Sequence, residues 1–257
     1  MGNAERMVEL LGADGPRLDR LMAIVASVDR SAPAEEAVMA GFDELAKETA
    51  GCSTSTELLV EVFGGLGFRG NTTDYYDARN SLIHHVLERR VGIPLSLAVV
   101  AVELGRRSGF ELSAIGLPGH VVLSDGSSDR WFDPFNGGTR LTRAGCEAIV
   151  QAIRPDAPFE DRFLDPMSTA TIVGRTLENL RAACLHSGDR SQLASVLELR
   201  ARMPGAPTDF GIEYAAVLAA LGRLDAAAAE RDLLASAQPA RANKHRSEAK
   251  RLRASRN

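Results

Sequence analysis

Aromatic side chains make up only 5% of the chain, and there is a single tryptophan. Strands depend on aromatic and β-branched residues, so this scarcity, together with abundant alanine and leucine, favours helices over a β-sandwich. No apolar run approaches the roughly 20 residues of a membrane span, so no membrane association is expected. The first fifteen residues lack a basic region and an apolar core, which predicts no signal peptide. We therefore expect a soluble, cytoplasmic protein.

Cysteines are few and scattered, at Cys52, Cys146 and Cys184. An odd number without a CxxC pair is typical of a reducing compartment rather than of a disulfide framework. No cysteine–histidine spacing indicates zinc. His84 and His85 are neighbours on a predicted helix, where successive side chains diverge by about 100°, so we expect that they share no metal ion. The sequence thus predicts neither a metal nor a cofactor.

Charge is distributed unevenly along the chain, whose formal net charge is −4. Residues 241–257 contain seven Lys or Arg and one acid, whereas the other 240 residues carry 23 basic and 33 acidic side chains. A basic tail could contact nucleic acid, but no aromatic residue is interleaved with it for base stacking. We expect a solvated, disordered terminus over 240–257 and no binding of nucleic acid.

The centre of the chain predicts one buried helix followed by a β-hairpin. Pro94 occupies a first-turn position, and "PLSLAVVAVELGRRSG" is apolar nearly all round, as in a helix inside a core. The hairpin "GHVVLSDGSSDRWFDPF" carries His120 on its first strand and Asp133 on its second. A histidine oriented by a carboxylate forms two thirds of a nucleophilic triad, and it could equally be a structural pair that fixes the hairpin register.

Residues 168–239 predict helices that repeat. "CLHSGDRSQLASVLELRARMP" aligns with "VLAALGRLDAAAAERDLLASAQP" at an offset of 34 residues, with Gly188 over Gly222. A helix-turn-helix unit of this period is the tetratricopeptide pattern, although a plain helical bundle would give similar helices. The repeats predict a docking surface for a protein or peptide partner.

The segment "GFRGNTTDYYDARNSLIHHVLERRVGIPLSL", followed by "PGH" and "DPFNGG", resembles the SirB family. Members of that family join a transglutaminase-like core to tetratricopeptide repeats. The resemblance implies an α+β fold, with a papain- or transglutaminase-like core in which a buried central helix packs on a small antiparallel sheet. It also implies a helical N-terminal extension and C-terminal tetratricopeptide-like hairpins. The predicted regions are 1–57 (N-terminal helices packed on the core), 58–160 (core), 161–239 (repeats) and 240–257 (tail).

The transglutaminase-like core normally places a cysteine at the N-terminus of its buried helix. Here that place falls on Pro94 or Leu95, neither of which can attack a substrate. We therefore favour a non-catalytic binding or regulatory protein with a cleft lined by His120 and Asp133. The alternative is an atypical hydrolase or acyl transferase that acts on a peptide, amide or ester bond. It would use Ser96, the only hydroxyl in the first turn of that helix, or a water activated by His120.

Three further residues are candidates for lining the cleft: Tyr75, Asn80 and Pro94. Tyr75 lies in a polar loop beside acidic residues, and it could instead cover the edge of the core. Asn80 would place a polar group near the vacant nucleophile position, although capping the next helix explains it equally well.

Overall fold

A computed structural model of the chain describes residues 2–156 and 158–255. The helices of the described part are α1 (Asn3–Leu11), α2 (Leu18–Ala26), α3 (Glu35–Glu48), α4 (Ser55–Val60), α5 (Ile83–Arg89), α6 (Pro94–Arg107), α7 (Arg143–Ile153), α8 (Thr169–Ser187), α9 (Arg190–Arg202), α10 (Thr208–Ala220), α11 (Leu224–Ala237) and α12 (Ala242–Ala254). The strands are β1 (Arg69–Gly70), β2 (Val91–Gly92), β3 (Ser113–Ile115), β4 (Val122–Ser124), β5 (Trp131–Asp133) and β6 (Thr139–Leu141). A π-helical turn (Glu61–Gly65) extends α4, and single 3₁₀ turns precede α5, α8 and α12. No helix in this part of the chain combines the length and apolar character needed to cross a bilayer.

The described residues form two compact units, one of residues 16–176 and one that joins residues 2–15 to 177–255. The boundary falls inside α8, between Thr176 and Leu177, rather than at residue 161. The predicted N-terminal region is also divided, because α1 packs on α9 whereas α2 and α3 pack on α5 and α6. A helix belongs to the unit that buries its apolar face, and sequence proximity does not decide which unit that is.

The larger unit is an α+β core built around α6. Five consecutive residues of this helix, Leu97 to Ala101, are fully buried, as the apolar sequence predicts. Strands β3–β4–β5–β6 form an antiparallel meander, with Ala114 opposite Leu123 and Leu123 opposite Phe132. The inward side chains of this sheet, including Leu123 and Phe132, join the α6 residues in one apolar core.

A buried ionic cluster fastens α2 to α6. Arg107 donates to Asp19 at 2.8 Å and to Glu103 at 2.6 Å, and Arg106 also reaches Asp19 at 3.0 Å. Asp19 and Glu103 are almost completely buried. Buried carboxylates are tolerated only when they are paired and hydrogen-bonded, so this cluster fixes the two helices in one register.

The smaller unit places equivalent features 34 residues apart. The turns before α9 and α11 each contain a glycine with positive φ, Gly188 at 76° and Gly222 at 74°. Helix α9 begins at Arg190 and α11 at Leu224, while α10 begins at Thr208 and α12 at Ala242. These spacings agree with the predicted period, and the assignment to tetratricopeptide repeats stays a prediction.

The basic C-terminal segment is not a disordered tail over the described residues 242–255. It forms α12, which packs on α11. His245 is buried, Glu248 pairs with Arg231 at 3.0 Å, and Arg253 pairs with Asp232 at 2.5 Å. The many basic residues of this segment make its narrow buried stripe hard to recognise in the sequence. Ala242 and Ala249 also belong to this stripe.

Candidate functional site

The hairpin brings His120 and Asp133 into direct contact. His120 lies in the bend before β4 and Asp133 is the last residue of β5, and the His120 Nε2 atom is 3.0 Å from Asp133 Oδ1. Gly119 allows the bend because its φ of 78° is a conformation that favours glycine. The side chain of His120 keeps 13% of its surface exposed and that of Asp133 only 5%. The pair is therefore a carboxylate inside the fold that orients an imidazole at its edge.

Asp133 accepts a complete set of hydrogen bonds. Besides His120, the backbone N–H groups of Phe135 and Asn136 donate to Oδ1 at 3.0 and 3.3 Å, and the Asn136 amide donates to Oδ2 at 2.8 Å. Burial alone would raise the pKa of Asp133, but the hydrogen bonds from His120, the Asn136 amide and the Phe135 N–H hold it below its ordinary value. The carboxylate is thus ionised and immobile.

Arg175, on α8, lies beside this pair. Its guanidinium donates to the His120 carbonyl oxygen at 3.4 Å and lies 3.4 Å from the Met167 sulfur. No carboxylate pairs with it among the described residues, and burial lowers its pKa. A half-buried cation without a counter-ion is costly, and this kind of group is commonly retained for binding an anion. Arg175 cannot be recognised from the sequence, because 55 residues separate it from His120.

Tyr75 completes the surface around Arg175. Its ring meets Phe135 edge-on at 6.3 Å and Tyr76 at 5.7 Å, and the Arg175 charge acts on its hydroxyl. Burial raises the pKa of Tyr75 further than the nearby Arg175 lowers it. Tyr75 and Tyr76 are nonetheless 47% and 52% exposed. We call His120, Tyr75, Tyr76, Phe135 and Arg175 the His120 surface.

Asn80 fixes the loop that carries Tyr75. It is fully buried, and its amide donates to the carbonyl oxygens of Asp74 at 2.7 Å and Tyr75 at 3.3 Å, while its Oδ1 accepts from Asn71 at 3.0 Å. The Asn71 carboxamide oxygen in turn accepts from the Thr73 and Asp74 backbone. Two asparagines therefore hold residues 71–80, which we call the tyrosine loop, in one shape, and Asn80 itself is closed to a ligand.

The start of α6 offers no nucleophile. Pro94 is buried at the first helical position, as the sequence predicts. The Ser96 hydroxyl donates to the Asn80 carbonyl oxygen at 2.5 Å and accepts from the Ile93 N–H at 3.1 Å, and the residue is 1% exposed. Among the described residues no hydrogen bond links Ser96 to His120. Ser96 thus caps its own helix and fastens it to the tyrosine loop.

The three thiols are held in their unreactive form. Burial raises the pKa of Cys146 to about 11, with a further contribution from the Asp133 charge, and burial raises that of Cys184 to about 12. Burial and the charges of Glu61 and Glu57 also raise the pKa of Cys52. Because the thiolate is the nucleophile, these surroundings disfavour the reactive form of each cysteine.

A second cluster joins Asp29 to His84 and His85 on α5. The Asp29 Oδ2 atom lies 3.0 Å from His85 Nε2 and 3.5 Å from His84 Nε2. The two rings lie 4.1 Å apart and are tilted by 36°. The expectation that these side chains diverge is wrong, because both lie in the first turn of α5 and their rings fold toward the same carboxylate.

The chain belongs to the transglutaminase-like superfamily, since the model of that family matches residues 17–178, more than half of its length. The matched segment contains α6, the hairpin and the His120 surface. This assignment agrees with the α+β core described above.

Several curated proteins are similar to the chain. The UPF0162 protein of Xylella fastidiosa strain 9a5c is 36% identical over 166 residues, which cover 60% of this chain and 58% of that protein. The UPF0162 protein of Vibrio cholerae is 35% identical over 122 residues, 46% of this chain and 45% of its own length. Human F-box only protein 21 is 33% identical over 99 residues, 35% of this chain and 16% of its own length. The chain thus spans about half the length of the UPF0162 relatives it matches, and no solved structure matches it significantly.

Proposed function

We propose that this protein is a non-catalytic member of the superfamily, a pseudoenzyme that binds a protein or peptide segment on the His120 surface. The observation that carries the proposal is the state of Ser96. Its hydroxyl is buried and donates to the Asn80 carbonyl oxygen, so it cannot be deprotonated by His120 without leaving that bond. The high pKa values of Cys146 and Cys184 support the same reading.

The His120 surface suits a peptide that carries a carboxylate. Arg175 would pair with the carboxylate, and bidentate pairing of a guanidinium is favourable where water is partly excluded. Tyr75 and Tyr76 would cover neighbouring side chains, since tyrosine and arginine are enriched where binding energy is concentrated. The ring nitrogen of His120 that faces away from Asp133 would accept a backbone N–H of the peptide.

The relatives and the smaller unit add support for a protein partner. One relative is F-box only protein 21, although its match covers a small share of that protein. The 34-residue spacing of α9 to α12 supports a repeat-type docking surface. We propose that residues 161–239, which contain α8–α11, contribute such a surface, as the repeat pattern predicts.

The test is selection of peptides from a random displayed library against the full chain, followed by affinity measurements on variants. We expect Arg175→Met and Tyr75→Ala each to lower the affinity for the selected peptide by about tenfold. Amidation of the peptide carboxylate should lower the affinity of the wild type to the same extent. Arg143→Met is the matched control, because Arg143 already pairs with the partly exposed Glu147 at 3.0 Å. Unchanged affinity in Arg175→Met and Tyr75→Ala would contradict the proposal.

The alternative is hydrolysis by a water that His120 activates, and the orientation of His120 by Asp133 is the observation that favours it. Turnover of a p-nitrophenyl ester by the wild type, His120→Asn and Ser96→Ala separates the two readings. A pseudoenzyme gives equal background rates in all three. A rate that falls at least about a hundredfold in His120→Asn would establish an enzyme instead.

A further inference from the structure

We infer that Asp29, His84 and His85 form a binding site for a divalent transition metal of the zinc class. This cluster lies on α5 and on the segment after α2, and none of its residues belongs to the His120 surface. The inference therefore stands or fails independently of the proposed function.

The distances between donor atoms fit one ion. Zinc bonds to nitrogen and oxygen at about 2.0–2.1 Å in a tetrahedral array, which separates its ligand atoms by about 3.3 Å. The two separations from Asp29 Oδ2 are 3.0 Å to His85 and 3.5 Å to His84, on either side of that value. One ligand atom from each of the three residues lies within 4.8 Å of the others. Small rotations of the rings would complete the three-ligand geometry.

His84 supplies the second, independent observation. Its side chain is only 9% exposed, yet Nδ1 has no partner among the described residues and Nε2 has only Asp29 Oδ2 at 3.5 Å, too far for a well-formed hydrogen bond. A buried polar group without a partner costs free energy and calls for an explanation. Coordination of an ion by Nε2 would satisfy the nitrogen that faces Asp29.

The two remaining ligands are already oriented. Asp29 Oδ1 accepts from the backbone N–H and the hydroxyl of Ser31, both at 2.9 Å, which leaves Oδ2 directed at the histidines. Such outer hydrogen bonds are the usual means of fixing a metal-binding carboxylate. His85 Nε2 lies at hydrogen-bond distance from Oδ2, so an ion would replace a proton between them.

An ion can reach the cluster from solvent. His84 and His85 line an open surface cavity of about 660 Å³, whose rim carries the carboxylates of Glu44, Glu48 and Glu88. Glu44 pairs with Lys47 at 2.7 Å and Glu48 with Arg90 at 3.6 Å, so Glu88, 3.9 Å from His85 Nδ1, is the carboxylate that would attract a cation. The cavity would admit water as the fourth ligand. Two imidazoles and one carboxylate favour Zn²⁺ or Co²⁺ over Mg²⁺ or Ca²⁺, which prefer oxygen ligands.

The test uses the full chain without a histidine tag, titrated with Co²⁺ and Zn²⁺ while the visible spectrum of Co²⁺ reports its geometry. We expect one equivalent of Co²⁺ with the intense bands of a tetrahedral complex, displaced by Zn²⁺. His84→Asn, His85→Asn and Asp29→Asn should each weaken the affinity by about tenfold or more. His120→Asn is the matched control, because it removes the histidine of the other histidine–aspartate pair and should leave the affinity unchanged.

Circular dichroism on each variant establishes that it is folded, and Asp29→Glu provides a second check because it keeps a carboxylate. Glu at position 29 should restore part of the affinity that Asn loses. Absence of a tetrahedral Co²⁺ spectrum in the wild type would overturn the inference. So would equal affinity in the wild type, His84→Asn and His85→Asn, which would place the ion elsewhere.

Discussion

Two arrangements of histidine and aspartate occur in the larger unit, and they differ in how fully their polar atoms are used. Asp133 accepts from His120, from two backbone N–H groups and from the Asn136 amide. At the other cluster, the buried Nδ1 atom of His84 has no partner in the described part of the chain, and its Nε2 atom lies 3.5 Å from Asp29 Oδ2. The polar atoms of the first arrangement are paired without a ligand, whereas the second arrangement contains a buried nitrogen with which a ligand could pair.

The difference shows that a histidine–aspartate contact does not by itself indicate catalysis. In the hairpin, the carboxylate fixes the ring and stabilises the strand ends, and any function lies in what the outer face of His120 binds. In the cluster of Asp29, the poorly paired nitrogens of His84 are the feature that points to a ligand. Counting unsatisfied atoms separates the two cases better than the residue types do.

The largest effect is expected from Asp133→Asn. It replaces Oδ2 with an N–H donor that faces the Asn136 amide and removes the charge that orients His120, so the free energy of unfolding should fall by about 2–4 kcal/mol. Asp29→Asn should cost only about 1 kcal/mol, because Asp29 is more exposed and has fewer partners. Urea unfolding of both variants measures the comparison, and equal losses would contradict it.

Replacing His84 and His120 should have smaller effects on the free energy of unfolding, and the two effects should differ in sign. Without metal, His84→Leu removes a buried Nδ1 atom that has no partner among the described residues and an Nε2 atom that has only a long contact with Asp29, so it should raise the free energy of unfolding by about 1 kcal/mol. His120→Leu takes a donor from Asp133 and should lower it by about 1–2 kcal/mol. Thermal unfolding in the presence of a chelator measures both, and destabilisation by His84→Leu would show that its ring is satisfied.

The smallest expected effect is a loss of stability at acidic pH. Because the folded protein holds the pKa of Asp133 below its ordinary value of 3.8, the carboxylate contributes stability that is fully present above that value. The contribution is lost as the pH falls through the lower, folded pKa. The difference in unfolding free energy between the wild type and Asp133→Asn should therefore shrink below about pH 4. A difference that stays constant down to pH 2 would contradict this linkage.

Much of the core follows from the sequence because its signals are local. Pro94 and the apolar run after it define α6, and the alternation around His120 and Asp133 defines the hairpin. The superfamily is likewise evident from the segment between "GFRGN" and "DPFNGG". Residue propensity and hydrophobic period are sufficient to predict an element whose structure is determined by its own sequence.

The rest depends on contacts between distant segments. Arg175 reaches His120 from α8, and Asp29 meets α5 from the end of α2, so no spacing in the sequence predicts either contact. The sequence does not reveal that α12 is an ordered helix, and the reason is different. Its buried face consists of small residues and one histidine among many charged residues. Tertiary packing decides such cases, and charge patterns alone do not.

The most direct measurement is nuclear magnetic resonance of the histidine rings, recorded before and after one equivalent of Zn²⁺ is added to the tag-free chain. The difference between the two arrangements predicts that the signals of His84 and His85 shift while those of His120 stay in place. It also predicts that His120 alone responds when a selected peptide is added. Shifts of all three rings with zinc, or of none, would contradict the account.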